Sequence, residues 1–208
     1  MNRSALLEQL AERCRHGLRA AGAAPRYQPT GFTALDALLP GGGWPLGALN
    51  EIMPAQPGIG ELSLLLPALI ALARSGRYLA LIAPPWLPYP PALAQRGLPL
   101  AQLLLVQPTT PRDALWATEQ TLRCPAFGAV LAWPAQVEER SLRRLQLAAE
   151  AGGSAGWLYR PTHAAEASSP AALRLQLEAL PAGALQVRIR KVRGGAPGAV
   201  VVHPAAAA

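Results

Sequence analysis

Hydrophobic residues recur along this chain in three different rhythms. Near the start, Leu6, Leu7, Leu10, Cys14 and Leu18 fall at helical spacing, so residues 4–21 are predicted as an amphipathic helix with Ser4 placed to cap it. From residue 48 to residue 159, short runs that are almost wholly apolar alternate with helical stretches. The apolar runs are residues 48–53, 77–83, 102–106, 127–132 and 156–159, and runs of this kind are strands covered on both faces. Residues 61–74, 91–96, 111–122 and 137–151 read as the helices between them. Strand and helix in alternation predict an α/β fold with a mostly parallel central sheet and helices on both sides. From Leu173 the rhythm becomes period two: Leu173-Arg174-Leu175-Gln176-Leu177-Glu178-Ala179-Leu180, the turn Pro181-Ala182-Gly183, then Leu185-Gln186-Val187-Arg188-Ile189-Arg190. That is a C-terminal antiparallel hairpin with one buried face.

Proline and glycine divide these rhythms. Residues 22–28 read as a linker, and residues 30–43 as a short helix ended by Pro40 and three glycines, with Thr33 and Asp36 at capping-box spacing. After Gly195 the pattern is poorly specified, and residues 204–208 are expected to be disordered. The expected division is therefore an N-terminal helix in residues 1–24, one core domain in residues 25–195 and a tail in residues 196–208. The first helix is either a brace on the core or a docking element for a partner; its narrow apolar stripe favours the brace.

The whole-chain totals add limits. With 208 residues, about half of them hydrophobic, the chain is long enough for one α/β domain with a real core. Its formal charge of +7 is compatible with a nucleic-acid or acidic-protein partner. Cys14 and Cys124 show no metal-ligand or redox spacing and are read as reduced and buried. The first residues lead into an amphipathic stretch rather than a secretory core, and the longest apolar run is too short to span a bilayer and contains Pro67, so a soluble cytoplasmic protein is expected with no membrane partner.

Residues 48–76 have the strand, Gly/Pro loop and apolar helix of a phosphate-binding P-loop. A working loop needs Gly-x-x-x-x-Gly-Lys-Ser/Thr: backbone N–H groups cradle the phosphates, Lys reaches the outer ones and the hydroxyl holds magnesium. Here Met53 stands at the first Gly, Gly58 is retained, Ile59 replaces the Lys and Gly60 the Ser/Thr. Lys191 is the one lysine among 19 basic residues, so no other stretch supplies the missing ammonium. No Asp or Glu occurs from Leu62 to Arg112, where an ATPase keeps its catalytic carboxylate and a dinucleotide-binding unit its ribose-binding acid. The loop is degenerate; no catalytic residue, cofactor or metal is expected.

The order of these elements resembles the RecA-type ATPase core. Thr30-Gly31-Phe32-Thr33-Ala34-Leu35-Asp36, then Gly41-Gly42-Gly43-Trp44-Pro45-Leu46-Gly47 and Asn50-Glu51-Ile52, look like the lead-in to a RecA P-loop. Carried over by position, the functional groups fail: the Lys falls on Ile59, the water-activating acid within residues 83–86, and the magnesium-assisting Asp on Trp133. A short RecA-like chain without nucleotide machinery looks like the ImuA family, and residues 185–195 look like that family too. The resemblance implies a RecA-like three-layer domain acting as a non-enzymatic accessory factor of SOS-induced translesion synthesis. Its implied partners are ImuB, an inactive Y-family polymerase homologue, together with RecA and an error-prone DnaE-type polymerase. The alternative is the related SOS cell-division inhibitor SulA, also RecA-like without a P-loop, which binds the tubulin-like protein FtsZ.

Candidate contacts follow from charge and exposure. Arg188, Arg190, Lys191 and Arg193 form a basic run, and strand alternation places Arg188 and Arg190 on a solvent face shared with Arg174. These cations suit DNA phosphates, giving weak DNA binding, or an acidic partner surface; the bland alternative is a charge-protected sheet edge. Trp86 and Tyr89, in a Pro-rich loop, suit either a protein contact or capping of the sheet end, and Leu6, Leu7 and Leu10 are the partner-docking alternative for the first helix. Residues 162–169 offer no Arg, Lys or aromatic for RecA-style DNA binding. Arg140, Arg143 and Arg144 read as a solvated helix face diluted by Glu138, Glu139 and Glu150, and the lone His163 lacks a nucleophile at recognisable spacing.

Overall fold

The computed structural model describes residues 3–17, 26–134 and 136–204. Five apolar runs and the two alternating ones become strands β3 (Ala48–Pro54), β4 (Tyr78–Ile82), β5 (Leu103–Val106), β6 (Phe127–Ala132), β7 (Ala155–Tyr159), β8 (Leu173–Ala179) and β9 (Leu185–Val192). A further strand, β10 (Gly198–Val202), closes the edge of an eight-stranded sheet ordered β10-β9-β8-β3-β7-β6-β4-β5. The pairs from β8 to β5 are parallel, while β9 and β10 join antiparallel. The fold is therefore a mixed α/β domain with a mostly parallel sheet. β10 lies in what reads as an unspecified tail. Val200 and Val202 face the core while Ala199 and Val201 face out, so the period is there but spans only five residues.

Helix α3 (Glu61–Arg74) packs on one face of the sheet through Leu64, Leu65, Leu69 and Leu72, meeting Ile52, Leu175 and Val187. The other face is covered by α5 (Pro111–Arg123) and α6 (Glu139–Gly152), whose Ala117, Leu122, Leu142 and Leu145 meet Leu49, Ile82 and Val130. Gly152 allows α5 and α6 to close up: a Cβ there would collide with the carbonyl oxygen of Leu122. No helix among the described residues is long and apolar enough to cross a membrane.

Two shorter α-helices and a small ribbon accompany the sheet: α2 (Thr33–Asp36), α4 (Pro90–Gln95), and β1 (Tyr27–Gln28) paired with β2 (Trp44–Pro45). The capping expected of Thr33 is made one turn earlier. Asp36 Oδ1 accepts from the Thr30 N–H at 2.9 Å, and Thr30 Oγ1 accepts from the Phe32 N–H at 3.0 Å. Trp44 then meets Trp157 edge to face at 4.9 Å, fixing the lead-in to the sheet.

The N-terminal helix α1 (Arg3–Gly17) is a brace on α5. Leu6 and Leu10 are buried in the α5–α6 core, which removes both from the candidate docking residues; Leu7 points outward and is half exposed. Burying two leucines contributes about 1.5–3 kcal/mol each, enough to hold a helix of this length against the body. Cys14 is joined by a disulfide to Cys124 at the end of α5, correcting the reading of two reduced thiols. The fold brings together residues separated by 110 positions, which spacing along the chain does not reveal. Leu18 lies outside the described residues.

Candidate docking groove at the strand ends

The carboxyl ends of β3, β4, β6 and β7 converge where open α/β sheets bind their ligands. The strand–loop–helix of residues 48–74 sits here as its layout predicts. The loop is closed from within. Glu61, the first residue of α3, accepts from the Gly58 N–H on Oε1 at 2.9 Å and from the Gly60 N–H on Oε2 at 3.0 Å. An anion is thus already seated on the amides at the helix start, supplied by the chain itself. Gly60 adopts φ +106°, a conformation reserved for glycine, which turns its N–H toward that carboxylate. Ile59 packs half-buried against the core and Met53 is fully buried against Ala164 and Ala165.

Glu61 is the residue that motif matching overlooks. The P-loop comparison asks what replaces Lys and Ser/Thr, and passes over the acid immediately after them. Its position in the first turn, where a negative charge meets the positive end of the helix, is the available signal.

Beside the sealed loop lies an apolar groove of about 480 Å³, walled by Pro54, Pro57 and Leu62 on one side and residues 84–88 on the other. Its floor is Trp133 stacked on Tyr159, centroids 4.4 Å apart and planes within 6°. The two rings meet because β6 and β7 are adjacent, with Ala132 opposite Leu158. Ala83 takes φ +54° at the end of β4, costly for a residue with a Cβ, and the chain there turns into the proline wall. That wall holds Trp86 and Leu87 in solvent, at 65% and 63% exposure, and Tyr89, just beyond it, is 70% exposed. The Tyr159 hydroxyl is buried and has no hydrogen-bond partner among the described residues. Burial, and then the negative charge of Glu61, push its phenol well above the usual tyrosine range.

The far wall, Arg160 to Thr162, is tied to the sheet by a buried charge cluster. Glu51 on β3 is wholly buried; it accepts from Arg160 at 2.9 Å, from Arg174 Nε at 2.5 Å and from the Ser169 hydroxyl at 3.1 Å. Arg174 also donates to the carbonyls of Ala164, Ala165 and Ala167. Arg174 therefore belongs to no solvent face. Alternation does place it opposite the core leucines, but the segment after β7 folds over it. Arg188, Arg190, Lys191 and Arg193 remain exposed. His163 is exposed, and Arg143 and Arg144 pair with Glu139 and Glu119, so the α6 arginines are largely spent on neighbouring acids.

The family model for the cell division inhibitor SulA matches residues 47–156, which run from the edge of β3 into β7 and carry most of the groove. The cell division inhibitor SulA of Pectobacterium atrosepticum is 34% identical over 123 residues, covering 58% of this chain and 72% of that protein. The chain belongs to the SulA family. The SulA proteins of Serratia marcescens and Pectobacterium carotovorum are 29% and 34% identical, over 68% and 69% of their lengths. These matches show no relation to ImuA and overturn the translesion adaptor role in favour of the alternative, a SulA-type cell division inhibitor. The reason is that the ImuA reading leaned on missing groups, at Ile59, Gly60 and Trp133, and a missing group says nothing positive about which family a chain belongs to.

Proposed function

We propose that this SulA family member is an SOS-induced, non-enzymatic inhibitor of cell division that docks the tubulin-like protein FtsZ against the groove at its strand ends. The fold in this reading is a RecA-like core, kept as a scaffold in the cytoplasm after its nucleotide site was given up. The observation that carries the proposal is the pairing of a loop sealed by the chain's own Glu61 with an aromatic groove beside it, most of whose lining falls in the range the SulA model matches.

The physics favours a protein occupant. Trp86, Leu87 and Tyr89 stand on a proline-stiffened loop, so little conformational entropy is lost when a partner covers them. Large aromatics around a partly desolvated floor are what binding hot spots are made of, and each costs about 2 kcal/mol or more when truncated.

Overproduction in a rod-shaped bacterium tests the function. The chain is expected to produce long undivided filaments, and a Trp86→Ala/Tyr89→Ala variant made to the same level is expected to restore short cells. Normal division at high levels of the wild-type chain would rule the reading out.

A further inference from the structure

The hairpin half of the sheet presents a second surface. β8, β9 and β10 bury one face through Leu175, Leu177, Val187, Ile189 and Val202. On the opposite face, cations gather toward the end of β9. Arg188 lies opposite Gln176 on β8 and Ala199 on β10, and Lys191 lies opposite Arg174. A bulge between these pairs inserts Arg190, so that Arg190 and Lys191 both reach the segment after β7: Arg190 toward Glu166, Lys191 to the Ser169 carbonyl. Arg193 completes the group, close enough for its charge to act on Lys191.

These charges are poorly compensated. Glu51, whose charge reaches Lys191, is already held by Arg160 and Arg174. Glu166 is 84% exposed and approaches Arg190 only to 3.6 Å. Among the described residues neither Arg188 nor Arg193 has an acidic partner. Burial, then the charges of Arg174 and Arg193, disfavour the Lys191 ammonium, and an incoming anion relieves that repulsion. Apolar side chains meet the group only at its Arg193 end, where Tyr27, Pro40 and Leu46 line a cavity with it, and Arg188 has small or polar neighbours. Ala199 beside Arg188 is small, and the nearest large apolar side chain on this face, Val201, pairs with Gln186 farther along the strand.

We propose that Arg188, Arg190, Lys191 and Arg193 form a binding site for the phosphodiester backbone of duplex nucleic acid, one that does not read sequence. A protein partner would need central apolar anchors, and around Arg188 the patch has none. Single strands are bound chiefly by stacking bases on aromatics; Tyr27 shares a cavity with Arg193 at one end of the group, and no aromatic pairs with Arg188 or Lys191 across the sheet. Four cations on a strand edge, with small and polar neighbours, fit a row of phosphates. The chain's net charge of +7 acts in the same direction. The site lies outside residues 47–156 and does not depend on the groove.

Fluorescence anisotropy of a labelled mixed-sequence DNA duplex, titrated with the full chain between 50 and 200 mM KCl, tests this. Four phosphate contacts give a log–log salt slope of about −3.6, so a fourfold rise in salt weakens binding by on the order of a hundredfold. Arg188→Ala/Arg193→Ala is expected to halve that slope, leaving a loss of about tenfold over the same range. Arg140→Ala on α6 leaves it unchanged, and an unrelated duplex binds equally. Arg188→Gln alone, which removes no internal contact, lowers the slope by about 0.9. Three results would overturn the proposal: no binding at 50 mM KCl up to about 100 μM chain, an unaltered slope in the folded double variant, or tighter binding to poly-glutamate than to duplex through the same arginines, which would assign the site to an acidic protein.

Discussion

Glu51→Ala should unfold this protein more readily than any surface change. The carboxylate is fully buried and neutralises two guanidinium groups that are themselves 7% and 12% exposed. Removing it leaves Arg160 and Arg174 as uncompensated charges in a low-dielectric interior. Breaking a buried ion pair by deleting one partner costs about 3–5 kcal/mol. Set against a total stability of about 5–15 kcal/mol, that is at least about a fifth of what holds the domain. For a chain of this size each kcal/mol moves the melting temperature by about 2–4 °C, so a fall of about 6–20 °C is expected. Thermal melts by far-UV circular dichroism read this directly. Glu51→Gln, which keeps an acceptor but loses the charge, should fall between the two. Glu51→Ala/Arg174→Ala should be less unstable than the sum of the single changes, because the residues share one network. A melting temperature within about 2 °C of wild type would show that the charges reach solvent after all, and would sink the picture of a clamped wall beside the groove.

Other outcomes follow from the same geometry. Glu61→Ala leaves the Gly58 and Gly60 N–H groups without their carboxylate and should cost about 1–2 kcal/mol in urea unfolding, as loss of a helix cap does; equilibrium dialysis should still detect no ATP binding, since the Lys and hydroxyl remain absent. Tyr159 is protonated in folded and unfolded states below about pH 10, so it has no effect there. Above that pH the unfolded chain gives up its phenolic proton while the folded one keeps it, so wild-type stability should fall as pH rises, and Tyr159→Phe should lose that part of the dependence. Cys14→Ser opens a loop of about 110 residues and should lower stability by about 2–4 kcal/mol in oxidising buffer, with no difference from wild type once the disulfide is reduced.

Much of the fold is legible because burial writes itself into the chain. A strand covered on both sides cannot carry charge without a partner, so β4, β6 and β7 read as nearly unbroken apolar runs, and the hairpin β8–β9 shows its buried face every second residue. Where several segments must cooperate, the text gives out. Alternation says that Arg174 faces away from the core leucines; it cannot say that residues 160–169 come back over it, nor that Glu51 waits beneath. Leu6 and Leu10 share a stripe with Leu7, but only the position of α5 decides which of them is covered. The groove itself is assembled from four loops, and the stacking of Trp133 on Tyr159 exists only because β6 and β7 are neighbours. Function was the least legible layer: the degenerate loop shows which nucleotide-binding groups are missing, not what the chain binds instead.

The central claim, that the groove docks FtsZ, is tested most directly by sedimenting GTP-assembled FtsZ polymers in the presence of the purified chain. Equimolar wild-type chain should sharply reduce the pelleted polymer, while Trp86→Ala/Tyr89→Ala should leave it close to the level without inhibitor. Polymer mass unaffected by the wild-type chain, or reduced equally by the groove variant, would contradict it.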